Sequence, residues 1–270
     1  MARRAAGKID TLMARLLRTL VHHSDPCAYL SDRASDLEVK LMLDVNAAEL
    51  EHLLARGWRR FGPSYFRPVC SHCAECVGIR VDVSAWQLTR SQKRVLARNR
   101  DLTCEFANPS IDAKRLALYT RWHQAREHAR GWEAAPLSAH DYATEFAFAH
   151  PAARELTIWL GQGSDRELLG VGLFDELPNA LSAVYFYYAP EHAERSLGVL
   201  NVVSQLQRAQ AQMRAHVYLG YRVKDCPSMA YKTRYQPHEL LRSSCDLHET
   251  PQWILASEWS ENSQSVERPR

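Results

Sequence analysis

Residues 181–203 read LSAVYFYYAPEHAERSLGVLNVV, and a change of period inside them decides the fold. Up to Tyr188 the residues suit a strand, with Tyr185 and Tyr187 on one face and Phe186 and Tyr188 on the other. Past Pro190 and Ser196 the period becomes helical, with Val199, Val202, Val203, Leu206, Ala209 and Met213 on the inner side. Residues 217–221 return to strand. A strand, a crossover helix and a strand require a parallel pair with a right-handed connection. Upstream, residues 155–160, 168–174 and 181–188 alternate with period two. Turn signals at 161–165 and 177–179 separate them, which predicts an antiparallel meander. A meander joined to one strand–helix–strand unit leaves a cleft where neighbouring strands diverge.

Further towards the N-terminus the chain changes character at Asn108, which is followed by Pro109. Residues 112–130 form a helix through Leu116, Tyr119, Trp122 and Ala125, stopped by Gly131, and a short helix starts at Ser138. Before the break, Ile9, Leu12, Met13, Leu16, Leu17 and Leu20 stand at helical spacing, so residues 1–23 read as an amphipathic helix. Residues 37–43 alternate as a strand. Asn46 with Glu49 forms a capping box for a helix that Gly57 ends. The reading is an α+β chain in three parts: a small α/β unit over 1–107, a mixed sheet flanked by helices over 108–250, and a tail over 251–270 whose polar end is disordered.

Composition narrows the class. The chain has 270 residues, 46% hydrophobic and 24% charged, as an ordinary globule does. No apolar run approaches the roughly 20 residues a membrane span needs, and no secretory leader pattern is present. Seven cysteines is an odd count, and three are clustered, which favours a reducing cytoplasm over a disulfide framework. A net charge of +3 implies no partner by itself.

Residues 65–80, YFRPVCSHCAECVGIR, carry the densest local signal. Cys70, Cys73 and Cys76 stand three apart, between Arg67 and Arg80. Thiolates at C-x2-C spacing can reach one soft metal ion from a tight turn. The run resembles the start of a C-x2-C-x2-C-x3-C-P iron–sulfur motif, but Arg80 stands where the fourth cysteine belongs. Cys27, on a loop after Pro26, is the candidate fourth ligand for a structural metal or an iron–sulfur cluster, with His72 the runner-up. The alternative is reduced cysteines packing a turn. Cys104, Cys226 and Cys245 read as buried hydrophobes.

Residues 90–100, RSQKRVLARNR, hold Arg90, Lys93, Arg94, Arg98 and Arg100 and no acid. Such a stripe either contacts nucleic-acid phosphates or forms a solvated helix face. Residues 218–240 bring together Tyr221, Lys224, Asp225, Tyr231, Lys232, Arg234 and Tyr235 beside a strand end, the make-up of a binding cleft. Arg80 at a strand start could hold a carboxylate in two hydrogen bonds, or pair with a nearby Asp or Glu.

Taken in order, PCAYL (26–30), LARGWRRFGPSYFRPVCSHCAECVGIRVDV (54–83), TRSQKRVLARNRDL (89–102), residues 181–203 and VYLGYRVKDCPSMAYKTRYQPHEL (217–240) resemble the arginyl-tRNA–protein transferase family. Within it they are most similar to the bacterial aspartate/glutamate leucyltransferase branch. Arg222, Ser228 and the Arg126–Glu127 pair depart from the usual pattern.

The resemblance implies a cysteine-bearing N-terminal transferase domain and a GNAT-like acyltransferase domain. It also implies leucyl transfer from aminoacyl-tRNA to the α-amine of proteins beginning with Asp or Glu, creating an N-degron. No cofactor is required, because the tRNA ester is already activated. Arg80, with Arg67 and Tyr221, is expected to bind the acceptor. Tyr185, Tyr188, Tyr231 and Lys232 are expected to line the reaction cleft. Arg90, Lys93, Arg94 and Arg98 are expected to touch tRNA, and Cys27, Cys70, Cys73 and Cys76 to fix the strand of Arg80. Asp225 is the one named candidate for a general base. Arginyl transfer and a non-catalytic RNA-binding role are the alternatives. A coenzyme-A-dependent acetyltransferase would need a Q/R-x-x-G-x-G/A loop, which RSLGV does not supply.

Overall fold

The computed structural model describes residues 14–130 and 137–260. Its centre is an eight-stranded mixed sheet with helices packed on it. The meander is present as β7 (Ala153–Leu160), β8 (Glu167–Glu176) and β9 (Ala180–Tyr188), all antiparallel. The crossover helix α5 (Leu197–Ala211) leads to β10 (His216–Arg222), which pairs parallel to β9. That pairing lasts only from His216 opposite Ala180 to Tyr218 opposite Ser182; beyond it the two strands part. α5 lays Val202, Val203, Leu206 and Ala209 on one sheet face, over Leu181, Val217 and Leu219. On the other side α3 (Ala113–Arg130) and α4 (Ala139–Glu145) bury Leu118, Tyr119, Tyr142 and Phe146 against β7, β8 and β9. Ser138 caps α4 through a box with Asp141.

Upstream residues complete this sheet. β5 (Val77–Asp82) pairs antiparallel with β10, and β6 (Leu102–Ala107) pairs with β7 at the far edge. β11 (His238–Leu241) pairs with β5, and β12 (Trp253–Leu255) closes the other edge. The order is β12-β11-β5-β10-β9-β8-β7-β6. The basic run forms α2 (Arg90–Arg98), capped by Thr89 with the buried Gln92.

A second, four-stranded sheet precedes it. It contains β1 (Arg15–Ser24), β2 (Ser35–Leu43), and the hairpin of β3 (Arg59–Phe61) and β4 (Ser64–Pro68), in the order β1-β2-β4-β3. α1 (Ala47–Ala55) has the expected Asn46–Glu49 capping box and buries Leu50, Leu53 and Leu54. The amphipathic helix expected over 1–23 is corrected here: from Arg15 onward the chain is an edge strand. The leucine spacing suits a helix, but Leu16, Leu17 and Val21 are more than half exposed, so no apolar surface receives that face. Pairing with β2 satisfies the backbone instead. Ile9, Leu12, Met13 and the polar end beyond Ser260 lie outside the described residues.

The β3–β4 turn rests on Gly62, at φ 54°. A Cβ there would come within 2.5 Å of the Thr144 carbonyl oxygen, so the turn seats against α4 only as glycine.

Candidate active site

β3 offers two successive arginines, and alternation sends them to different places. Arg60 is buried. It forms a charged pair with Asp175 of β8, itself fully buried, and donates to the Gly62 carbonyl at 2.9 Å. This pair fastens the hairpin to the large sheet. Arg59 is half-buried and reaches the place where β9 and β10 part, donating from Nη2 to the carbonyl of Ala183. β9 carries a bulge between Ala183 and Tyr185, so the split coincides with an irregular strand.

Lys232 approaches the same point from the other side. It is buried, and its Nζ donates to the Tyr221 carbonyl of β10 at 2.8 Å. A Cβ on Gly220 would lie 3.4 Å from Lys232 Nζ and 3.7 Å from Arg59 Nε, so both cations converge over a glycine at φ 86°. Burial, and then the neighbouring Arg59 charge, bring the Lys232 ammonium down to about 7. Tyr29 stands by, its phenol pushed up to about 12 by burial. Tyr221 is anchored, its hydroxyl donating to the Gly57 carbonyl at 2.7 Å.

Two residues beyond Ala183, the Tyr185 hydroxyl lies 2.9 Å from His123 Nε2 of α3. Phe61 and Phe146 stand against the Tyr185 ring, and the His123 ring stacks on Tyr119 at 4.1 Å. Burial lowers the His123 pKa, so the imidazole is neutral near pH 7, and burial raises that of Tyr185. A neutral imidazole bonded to a phenol can accept and pass a proton. Tyr188 packs against Trp122, with ring centroids 4.3 Å apart, and Tyr231 is exposed.

The expected residues are therefore only partly brought together. Lys232 and Tyr221 meet at the split, and Tyr185 lies beside it. Arg80 lies on β5, with Nε 2.5 Å from Glu239, Nη1 3.4 Å from the Tyr218 hydroxyl and its guanidinium over Trp253 at 4.3 Å. No hydrogen bond, ion pair or ring contact joins it to Tyr185, Tyr188, Tyr231 or Lys232 among the described residues. Arg67 is bound to Glu38 at 2.8 Å and to the Cys245 carbonyl at 3.2 Å, above Trp58. Asp225 sits on an exposed turn. Arg90, Lys93, Arg94 and Arg98 are all exposed, and Arg98 donates to the Glu194 carbonyl.

The thiols border the loop between β1 and β2. Cys70 Sγ accepts from the Asp36 amide at 3.4 Å, and Arg33 donates to Cys73 at 3.6 Å. Cys76 packs with Tyr29, Phe66 and Tyr221. Burial pushes the Cys27 thiol up, but the Tyr29 and Leu30 amides, Ser35 and Arg33 outweigh it and leave it below its ordinary value. His72 is exposed. Among the described residues, no three or more His, Cys, Asp or Glu side chains stand together so as to hold a metal ion. The residues present do not fit a four-thiolate site as they stand, so no step is assigned to a metal.

The sequence reading missed Arg59 and His123. An arginine pair before a short hairpin and a lone histidine on a long helix carry no motif. A pocket of about 420 Å³ also opens between Arg222, Lys224, His238 and Trp259.

A meander, a crossover helix and a parallel strand splayed from its neighbour make up the GNAT-like fold. Two family models match the chain: arginine-tRNA-protein transferase, N terminus, over residues 25–94, and C terminus over residues 114–242. The chain belongs to the arginine-tRNA-protein transferase family. A Marinobacter nauticus protein named aspartate/glutamate leucyltransferase is 36% identical over 230 residues, covering 84% of this chain and 94% of that protein. A Helicobacter hepaticus protein of the same name is 33% identical over 230 residues, covering 85% and 94%. Among solved structures, FemX aligns with a TM-score of 0.46 at 10% identity, over 68% of this chain and 63% of that one. L-PGS from Bacillus licheniformis aligns with 0.41 at 12% identity, over 60% and 56%. Among the described residues, no helix is long and apolar enough to cross a membrane.

Proposed function

We propose that the protein transfers leucine from leucyl-tRNA to the α-amine of proteins that begin with Asp or Glu. The observation that carries this reading is the split between β9 and β10, where Arg59 and Lys232 converge over Gly220 and the Tyr185–His123 pair lies two residues along β9 from Arg59's partner, Ala183. The names of the Marinobacter and Helicobacter relatives support the choice of donor and acceptor.

The chemistry needs little beyond positioning. The acceptor nitrogen attacks the ester carbonyl carbon, an amide forms, and the carbon–oxygen bond to the terminal ribose breaks. The ribose oxygen takes up a proton as the amine loses one. An α-amine has a pKa of about 7.7–8.0, so a fair fraction is already neutral near pH 7. Holding amine and ester in line supplies up to roughly 7–11 kcal/mol in favourable cases. Neutral His123, through Tyr185, receives the proton that the amine gives up, and the cations at the split polarise the ester oxygen. Tyr188 and Tyr231 border the cleft, and α2 lies on tRNA phosphates. A tRNA donor places the reaction in the cytoplasm, and the leucine-capped product is marked for degradation. In this reading Arg80 acts on the acceptor only by exchanging Glu239 for the incoming carboxylate.

The test is transfer from labelled leucyl-tRNA and, separately, arginyl-tRNA to peptides differing only in a first residue of Asp or Asn. Leucine on the Asp peptide is expected. Arginine alone would change the donor, and transfer of neither would overturn the reading.

A further inference from the structure

Several arginines of the interior are matched to acids. Arg60 has Asp175, Arg67 has Glu38, Arg80 has Glu239 and Arg115 has Glu155. Arg59 has none among the described residues; its one hydrogen-bond partner there is the Ala183 carbonyl. Across Gly220 from it stands another cation, Lys232, while the Asp175 carboxylate that also acts on it is already paired with Arg60. Two cations converging at one point, neither in an ion pair among the described residues, raise each other's energy until an anion arrives.

We infer that Arg59 is the residue that reads the acidic side chain of the acceptor's first residue, taking its carboxylate into the split between β9 and β10. The inference rests on the proposed transfer reaction and names the specificity residue within it. An N-terminal aspartate has its carboxylate carbon two bonds from the carbon that bears the attacking amine, and a glutamate three. Whatever holds the acid must therefore lie within a few ångströms of the reacting nitrogen. Arg59 meets β9 at Ala183, two residues before Tyr185, which is within roughly 7 Å along a strand. A guanidinium spending one N–H on a carbonyl keeps others for a planar, two-point grip on a carboxylate, which an ammonium cannot reproduce. Arg80, by contrast, is already bound to a carboxylate, donating from Nε to Glu239. A phosphodiester is the other anion available. It is bulky and belongs to an open surface, where α2 already offers exposed cations.

The experiment measures binding of two peptides, identical except for a first residue of Asp or Asn, to the full chain by calorimetry, without tRNA. Wild type, Arg59→Ala, Arg59→Lys and Arg80→Ala are compared, and transfer rates are taken alongside. Wild type is expected to prefer the Asp peptide by about ten- to a hundred-fold, and Arg59→Ala to lose that preference. Arg59→Lys, which keeps the charge and loses the fork, gives an intermediate ratio. It stands in if Arg59→Ala fails to fold, as checked by its melting curve. Equal wild-type binding of the two peptides overturns the inference. So does an unchanged ratio in folded Arg59 variants, or loss of the ratio in Arg80→Ala instead. A fall in leucyl-tRNA binding with the Asp preference intact would assign Arg59 to phosphate and overturn it equally. If Arg59 governs the ratio but wild type transfers no leucine, the acid-reading site stands and the proposed reaction falls.

Discussion

The corner around Arg80 and the split around Arg59 use the same materials: an arginine, tyrosines, and strands on either side of β10. At Arg80 the charge is answered within the fold. Glu239 faces it, His216 lies 3.5 Å from the same carboxylate, and Trp253 covers the guanidinium. Hydrogen bonding from His216 and then Arg80 holds Glu239 down to about 2, so the pair is charged at any physiological pH. At Arg59 the charge meets a second cation and a carbonyl. A fold satisfies what it needs for itself and leaves unsatisfied what a ligand will complete. The first corner is frame and the second is a binding site.

The comparison is broken most directly on β3, where frame and site sit one residue apart. Asp175→Ala leaves the buried Arg60 guanidinium without its partner, and breaking such a pair costs about 3–5 kcal/mol. Denaturant unfolding of Asp175→Ala is expected to show that loss, whereas Arg59→Ala is expected to lose less than about 1 kcal/mol because no pair is broken. Equal losses in the two would erase the distinction between frame and site.

These neighbours also show how much was legible. Residues 153–222 were readable because long strands and a long helix leave clear periods, and the parallel return strand follows from handedness alone. β3 was not, since three residues make no period, and Arg59 and Arg60 look alike until alternation and tertiary packing separate them. β1 was misread because the leucines that match a helix find no apolar surface there. The site itself draws on positions 59, 123, 185, 220 and 232, which meet only in the folded chain. The cysteines gave the strongest local signal, yet their thiols border one loop and do not form a group able to hold an ion among the described residues.

A smaller effect sharpens the frame side. His150 is buried and accepts from the Ala152 amide at 3.1 Å, and its Nε2 has no hydrogen-bond partner among the described residues. Burial, and then the Arg60 charge, hold it down to about 4. The unfolded imidazole titrates near 6.5, so between those values the unfolded chain binds the extra proton. The stabilisation is full above pH 6.5 and is lost as pH falls towards 4, on the order of 3 kcal/mol in all. Urea melts at pH 7.5 and pH 5 should show the decline in wild type, and His150→Gln should flatten it. A wild type equally stable at both values would mean that burial and the Arg60 charge do not hold the imidazole neutral.

The smallest effect concerns charges that neither the frame nor the split accounts for. On α2, Arg90, Lys93 and Arg94 are exposed and pair with no acid among the described residues, while Gln92 and Thr89 secure the helix end. Exposed cations of this kind add little to folding, so Lys93→Gln and Arg94→Gln should leave stability within about 0.5 kcal/mol. If they meet tRNA phosphates, each substitution should lower the slope of log affinity against log salt by roughly 0.7–0.9. Arg98 differs, because its donation to the Glu194 carbonyl ties α2 to the turn before α5. Arg98→Gln should therefore move stability as well as the salt slope. Leucyl-tRNA binding measured across a salt series separates these cases. Unchanged slopes in Lys93→Gln and Arg94→Gln would make α2 a solvated surface.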